Sequence, residues 1–353
     1  MNQQLQHIAR QFAGGQTVIK VAPLGNGLIN DTFCVTSSGQ PFVLQRINQQ
    51  VFPQPELVMV NLLRLSQHIA AKAVDSVQLQ IPTVIASNQQ QPYFKDEDQQ
   101  VWRALQLISP AESREHISRD SEAQQVGFAL AHFHRLCSDL PVNALHDTLP
   151  GFHITPRYYQ AYQALMAQPL AVDNDSELQA CLSLIDSFAS QIDMLEHAKQ
   201  QGLLVERVIH GDPKLNNFLF QPNSDQIISL IDLDTVKPGL VHYDIGDCLR
   251  SCCHIAESNQ FDLHRCQLIL QSYLQEAGHF FSRADYEYLY LAIVLIPFEL
   301  GLRFLTDYLQ GNRYFKVKTP RQNLQRAQAQ FALAANIVEQ RLAIEAMIKR
   351  LAA

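Results

Sequence analysis

The sequence is poor in charge, and the charge it carries is not basic. Only 17% of its 353 residues are Asp, Glu, Lys or Arg, and 34 acidic against 27 basic residues leave a net charge of −7. That balance argues against a nucleic acid or an anionic membrane as partner. A local basic pocket for one anionic ligand remains compatible with it. The seven cysteines lack any C-x-x-C spacing, and the adjacent Cys252 and Cys253 fall in an expected helix, where they are poorly placed to bond each other. An odd, unpatterned set reads as reduced, buried thiols rather than zinc ligands, and suggests a cytoplasmic protein. The opening stretch MNQQLQHIARQFAGG has no apolar core of the signal-peptide kind. The most apolar stretch, YLYLAIVLIPFELGL, is short and contains Glu299, so a buried core helix is expected, not a membrane span. No internal repeat is present. With 47% apolar residues the chain is globular.

What is present is a change of pattern near Ser109. Before it, VIKVAPLGNGLINDTFCVTSSGQPFVLQRIN predicts a strand, a glycine turn, a strand, a hairpin turn at SSGQ and a third strand. PELVMVNLLRLSQHIA places Leu57, Val60, Leu63 and Leu65 at helical spacing behind Pro55 and Glu56. IPTVIAS and VWRALQLI predict two more strands. After Ser109 amphipathic helices dominate, as in DSEAQQVGFALAHFHRLCSDL, residues 176–200 and the segments beyond Phe261. The expected class is α+β: residues 1–108 form a small antiparallel sheet with one helix, and residues 109–353 a larger, mainly helical unit.

Between the helical segments lies VIHGDPKLNNFLF, a polar cluster set between two apolar runs. Pro213 forbids a regular helix through the cluster and holds Asp212 extended. Farther on, LIDLD puts Asp232 at the end of a second apolar run. Two strands joined by the QPNSDQ turn bring the Asn217 loop towards Asp232. One carboxylate is then available to take a proton, and an amide oxygen and a second carboxylate to hold a hard cation. Magnesium suits such oxygen ligands and completes its shell with water and substrate phosphates. Phosphoryl transfer uses such an arrangement. The plainer reading makes Asp212 and Asn217 turn caps. The flanking strands and the distance to LIDLD favour the chemical one. For His210 the plainer reading stands: it stiffens the loop.

HGDPKLNNFLF and LIDLDTVKPGLVHYDIGD resemble the catalytic segment of the aminoglycoside phosphotransferase and choline kinase superfamily, which has a two-lobed, protein-kinase-like fold. GNGLINDTF, FVLQRIN and RFLTDYLQGNRYF extend the resemblance, most closely to N-acetylhexosamine 1-kinases. The resemblance implies Asp212 as catalytic base, Asn217 and Asp232 as Mg2+ ligands, and Asp234 directed to the metal or the sugar. Asp244, with Asp247, would brace the catalytic loop. Gly25, Asn26, Gly27 and Asn30 would form the loop over the nucleotide phosphates. With Leu44 against the adenine, strand alternation turns Arg46 to those phosphates, and Glu56 is the one carboxylate its helix offers as a partner. Arg303 and Tyr314 would bind the acceptor, while Tyr158, Tyr159 and Phe304 read as core and Phe133 and His134 receive no chemistry. The implied activity is transfer of the γ-phosphoryl group of ATP to a sugar hydroxyl, in the first place the anomeric hydroxyl of an N-acetylhexosamine. The alternatives are a kinase for homoserine, choline or an aminoglycoside, and a non-catalytic nucleotide-binding protein. Neither nucleic acid nor membrane is expected as a partner.

Overall fold

The computed structural model describes residues 3–25, 29–168 and 175–352. Helix α1 (Gln3–Arg10) precedes strands β1 (Val18–Pro23), β2 (Asp31–Ser37) and β3 (Phe42–Arg46). Helix α2 (Pro55–Ala70) follows, then β4 (Val84–Ile85), β5 (Phe94–Lys95) and β6 (Val101–Gln106). The strands form one antiparallel sheet in the order β1-β2-β3-β6-β4, with β5 also paired to β6. Pro55 starts α2 at a position where the missing N–H costs nothing. The extra helix, α1, has a consequence for the whole sheet. Ile8 and Phe12 cover Val35, Phe42, Leu44, Trp102 and Ala104, making a small core on one face.

The second unit begins with β7 (Glu112–Ser113), α3 (Asp120–Cys137), α4 (Thr155–Met166), α5 (Ser176–Phe188) and α6 (Met194–Gln200). Four short strands follow: β8 (Arg207–Ile209), β9 (Phe218–Phe220), β10 (Ile227–Leu230) and β11 (Lys237–Gly239). β8 pairs with β11, and β9 lies between β10 and β7. Helices α7 (Val241–Cys252), α8 (Leu263–Ala277), α9 (Arg283–Glu287), α10 (Leu289–Leu309), α11 (Gln322–Glu339) and α12 (Arg341–Leu351) complete the chain. The apolar stretch around Glu299 is α10. It is long and apolar enough to cross a bilayer, but 78% of its most apolar window is buried against protein, chiefly α7, α11 and α4. All seven cysteines are free thiols, and every one but Cys34 is buried.

The larger core takes in Val58, Met59, Leu62 and Leu65 of α2 together with the helices of the second unit. Polar contacts reinforce this. The buried Asn61 donates to the His146 and Val236 carbonyls at 2.8 and 3.0 Å and accepts the His146 N–H at 2.8 Å.

Candidate active site

Strand β8 carries Val208 and Ile209 into the core and then stops, because the next residues cannot continue a ladder. Gly211 has φ +88°, and a Cβ there would stand 2.7 Å from the Thr235 carbonyl oxygen, so a side chain is excluded on both counts. Four backbone groups just before Asp212 are each held by a side chain. Asp244, in the first turn of α7, accepts the N–H groups of His210 and Gly211 at 2.6 and 2.8 Å. Thr235 Oγ1 donates to the His210 carbonyl at 2.9 Å, and His153 Nε2 to the Gly211 carbonyl at 2.7 Å. The loop is fixed at both polarities of its backbone.

Asp244 is fully buried and also takes a 2.8 Å hydrogen bond from His134 Nε2. Burial works against its charge, but the His134 bond, the two nearby imidazoles and the His210 N–H outweigh that and hold its carboxyl below the usual range. His210 itself accepts the Asp212 N–H at Nδ1 (3.2 Å) and donates from Nε2 to the Ile231 carbonyl (2.9 Å). That pattern needs the neutral ring, and burial accordingly keeps its pKa low. His153 differs. Burial disfavours its cation, yet Glu299, 3.2 Å from Nδ1, more than offsets this and raises its pKa.

Asp212 itself is partly open to the cleft and lies 2.5 Å from Lys214 Nζ. Asn217 donates from Nδ2 to the Asp212 carbonyl at 2.7 Å, so its Oδ1 points elsewhere and stays available as an acceptor. Asp232 adopts left-handed backbone (φ +65°), with Lys214 Nζ 4.0 Å from its carboxylate. Its side chain keeps 39% exposure at the cleft edge. Even so, desolvation and then the neighbouring Asp234 charge push its carboxyl up to about 6. Among the described residues no group of three or more His, Cys, Asp or Glu side chains forms a metal cage. The oxygen donors of Asn217 and Asp232 suit magnesium, with water and phosphate oxygens as the other ligands.

Several expected residues stand elsewhere. Asp234 is buried, its oxygens occupied by Arg103 Nη2 at 2.5 Å and Asn30 Nδ2 at 2.8 Å, so its carboxylate ties the loop to the sheet. Asn30 also accepts the Asn48 N–H at 3.0 Å. Gly25 is a positive-φ turn residue, while Asn26 and Gly27 lie outside the described residues. Arg46 must be corrected. Leu44 packs under α1, not against a nucleotide, and Arg46 shares its face by strand alternation. There the exposed Arg46 pairs with the half-buried Asp31, and Gln45 is the residue turned inward. Glu56 pairs with Lys95 at 2.7 Å, not with Arg46.

On the acceptor side, the Arg303 guanidinium lies over the rings of Phe152, Tyr158 and Phe315, at 4.9, 5.2 and 5.6 Å from their centroids. Burial opposes its charge, but Tyr158, Glu299, Tyr314 and Asp212 are close enough to outweigh it. Tyr314 is exposed on a loop that Asp307 anchors, accepting the N–H groups of Arg313, Tyr314 and Phe315 at 2.8, 2.7 and 2.9 Å. His134, His153, Thr235 and Asp307 were not expected from sequence. Each acts on a segment remote in the chain or through backbone geometry that no spacing announces.

Residues 20–277 match the model of the phosphotransferase enzyme family, APH. Among solved structures, the chain resembles an aminoglycoside phosphotransferase from Alicyclobacillus acidocaldarius subsp. acidocaldarius, with 17% identity, coverage of 97% of this chain and 96% of that one, and a TM-score of 0.66. A microcompartment-associated aminopropanol kinase matches at 19% identity, covering 97% and 98%, with a TM-score of 0.64. The GDP complex of aminoglycoside 2'-phosphotransferase-IIIa matches at 15% identity, covering 94% and 99%, with a TM-score of 0.59. These likenesses establish the kinase-like fold, a mainly antiparallel sheet unit followed by a helical one. The family match spans the sheet, the HGD loop and the IDLD turn together, and the chain belongs to the phosphotransferase enzyme family.

Proposed function

We propose that the protein is an ATP- and magnesium-dependent kinase for a sugar, with the anomeric hydroxyl of an N-acetylhexosamine as acceptor. The observation that carries this reading is Arg303, seated among three aromatic rings with Tyr314 and Asp212 nearby. A neutral sugar wants hydrogen-bond donors and flat apolar surface. A cationic acceptor such as choline or an aminoglycoside wants carboxylates. Glu299, the acidic side chain beside Arg303, is buried and already engaged by Thr155 at 2.9 Å and His153.

Asp212 would align the acceptor hydroxyl and take its proton. An anomeric hydroxyl is more acidic than an ordinary alcohol, so modest basicity suffices. Lys214 neutralises charge beside it. Asn217 and Asp232 would hold magnesium, which supplies charge neutralisation on the phosphates. Most of the rate then comes from positioning and electrostatics. A non-catalytic role fits poorly with a loop whose four backbone groups are all pinned around an open carboxylate.

The test is ADP release from Mg-ATP with N-acetylglucosamine, N-acetylgalactosamine, glucose, galactose, homoserine, choline and kanamycin. Turnover with an N-acetylhexosamine, giving an acid-labile, alkali-stable phosphate, is the expected result. Turnover confined to a non-sugar overturns the acceptor assignment and leaves the family intact. No turnover with any acceptor favours the non-catalytic alternative.

A further inference from the structure

Kinase-type phosphoryl transfer places a cation from the sheet against the nucleotide phosphates. In this chain the third strand does not provide one, since its inward residue is Gln45 and Arg46 points to the α1 face. The cation sits one strand over. Arg103 on β6 lies directly opposite Gln45 in the β3–β6 register and is 1% exposed.

Its surroundings form a chain of fixed polar groups. Thr32 Oγ1 accepts from Gln45 Nε2 at 3.0 Å, which turns Gln45 Oε1 towards Arg103. That oxygen accepts from Arg103 Nε and Nη2 at 3.0 and 2.8 Å. Nη2 also meets Asp234, whose other oxygen is held by Asn30. Nη1 is buried and, among the described residues, has no partner. A buried guanidinium with an unused N–H pair is costly until an acceptor reaches it. The acceptor that fits is anionic, because the guanidinium is charged and its carboxylate partner Asp234 engages Nη2, leaving Nη1 to another acceptor.

We propose that Arg103 is the phosphate ligand of the nucleotide site, its Nη1 donating to an α- or β-phosphate oxygen, with Gln45 and Asp234 fixing the plane of its fork. A guanidinium offers directed, paired donors where a lysine offers a point charge. The proposal rests on the nucleotide donor and is independent of which acceptor is used.

Calorimetric titration with ADP and with adenosine separates a phosphate contact from a structural role. Arg103→Gln should weaken ADP by about tenfold or more while adenosine affinity stays within about twofold. Arg46→Gln should leave ADP binding unchanged. Arg103→Lys keeps the charge and guards against misfolding; it should still lower the ratio of ADP to adenosine affinity, by about threefold or more. Equal losses for ADP and adenosine, or ADP affinity within twofold of wild type in both Arg103 variants, overturn the assignment. Failure of the wild type to bind ADP overturns the donor, and this assignment with it.

Discussion

Replacing Asp244 by Asn changes almost no volume and removes one charge, so its cost is set by hydrogen bonds and by the burial of that charge, not by packing. In the native loop one Asp244 oxygen accepts from the His210 N–H and from His134, and the other from the Gly211 N–H. An amide has one acceptor oxygen. In its better orientation that oxygen keeps His210 and His134, and the NH2 faces the Gly211 N–H, donor to donor. A buried N–H without a partner costs about 1–3 kcal/mol. The two remaining bonds lose their charge assistance, at about 1 kcal/mol each. Relief from burying a carboxylate offsets part of this, and the net lies near the 3–5 kcal/mol typical of breaking a buried charged network. Against a total stability of about 5–15 kcal/mol, the variant folds with a clear loss. Urea unfolding at pH 7 measures it. The pH dependence has a definite sign. The folded-state carboxyl is held below its ordinary 3.8, so its contribution is complete above that value and fades as pH falls through the lower, folded pKa. The gap between wild type and Asp244→Asn should therefore be the same at pH 7 and pH 5 and close only below about pH 4. A gap under about 0.5 kcal/mol at pH 7, or one that closes by pH 5, refutes the brace.

Asp212→Ala should lower kcat by about 10²–10⁴ with ADP affinity within a few-fold of wild type; retention of most activity would show that another group takes the proton. Gly211→Ala forces a Cβ against the Thr235 carbonyl at positive φ, so a loss of about 1–3 kcal/mol is expected, and an unchanged thermal midpoint refutes the packing described. Asp232, with its carboxyl near 6, takes a proton in competition with magnesium. Metal affinity measured by titration should be flat above about pH 7 and fall below pH 6, by up to about tenfold per unit, with Asp232→Asn weak and insensitive throughout. For the metal-free protein the sign reverses. The raised pKa favours the protonated fold, so this group's contribution is lost as pH rises through about 6.

That Asp212, Asn217 and Asp232 lie near one another was legible because their contacts are local, made through two short paired strands separated by one turn. The two-unit plan was legible because strand and helix periods change near Ser109. Arg46 shows where that legibility stops. A period of two says which residues of a strand share a face, but which face turns to the cleft depends on what covers the other. Here α1 covers it, and the alternation in FVLQR holds no sign of α1. His134, His153 and Arg103 were missed for a related reason. Their partners Asp244, Gly211 and Asp234 lie 110, 58 and 131 residues away along the chain. Spacing within a motif carries no information at that range.

The anchoring of α2 has a mechanical consequence. Asn61 binds backbone on the far side of the cleft, and the apolar face of α2 belongs to the larger core. Helix α2 is consequently fixed to the larger unit, and Arg103 and Asn30 on Asp234 tie the sheet to the same body. A kinase built this way cannot be switched off by swinging that helix outward, because doing so would strip the Asn61 amide of all its partners and open the main core to water.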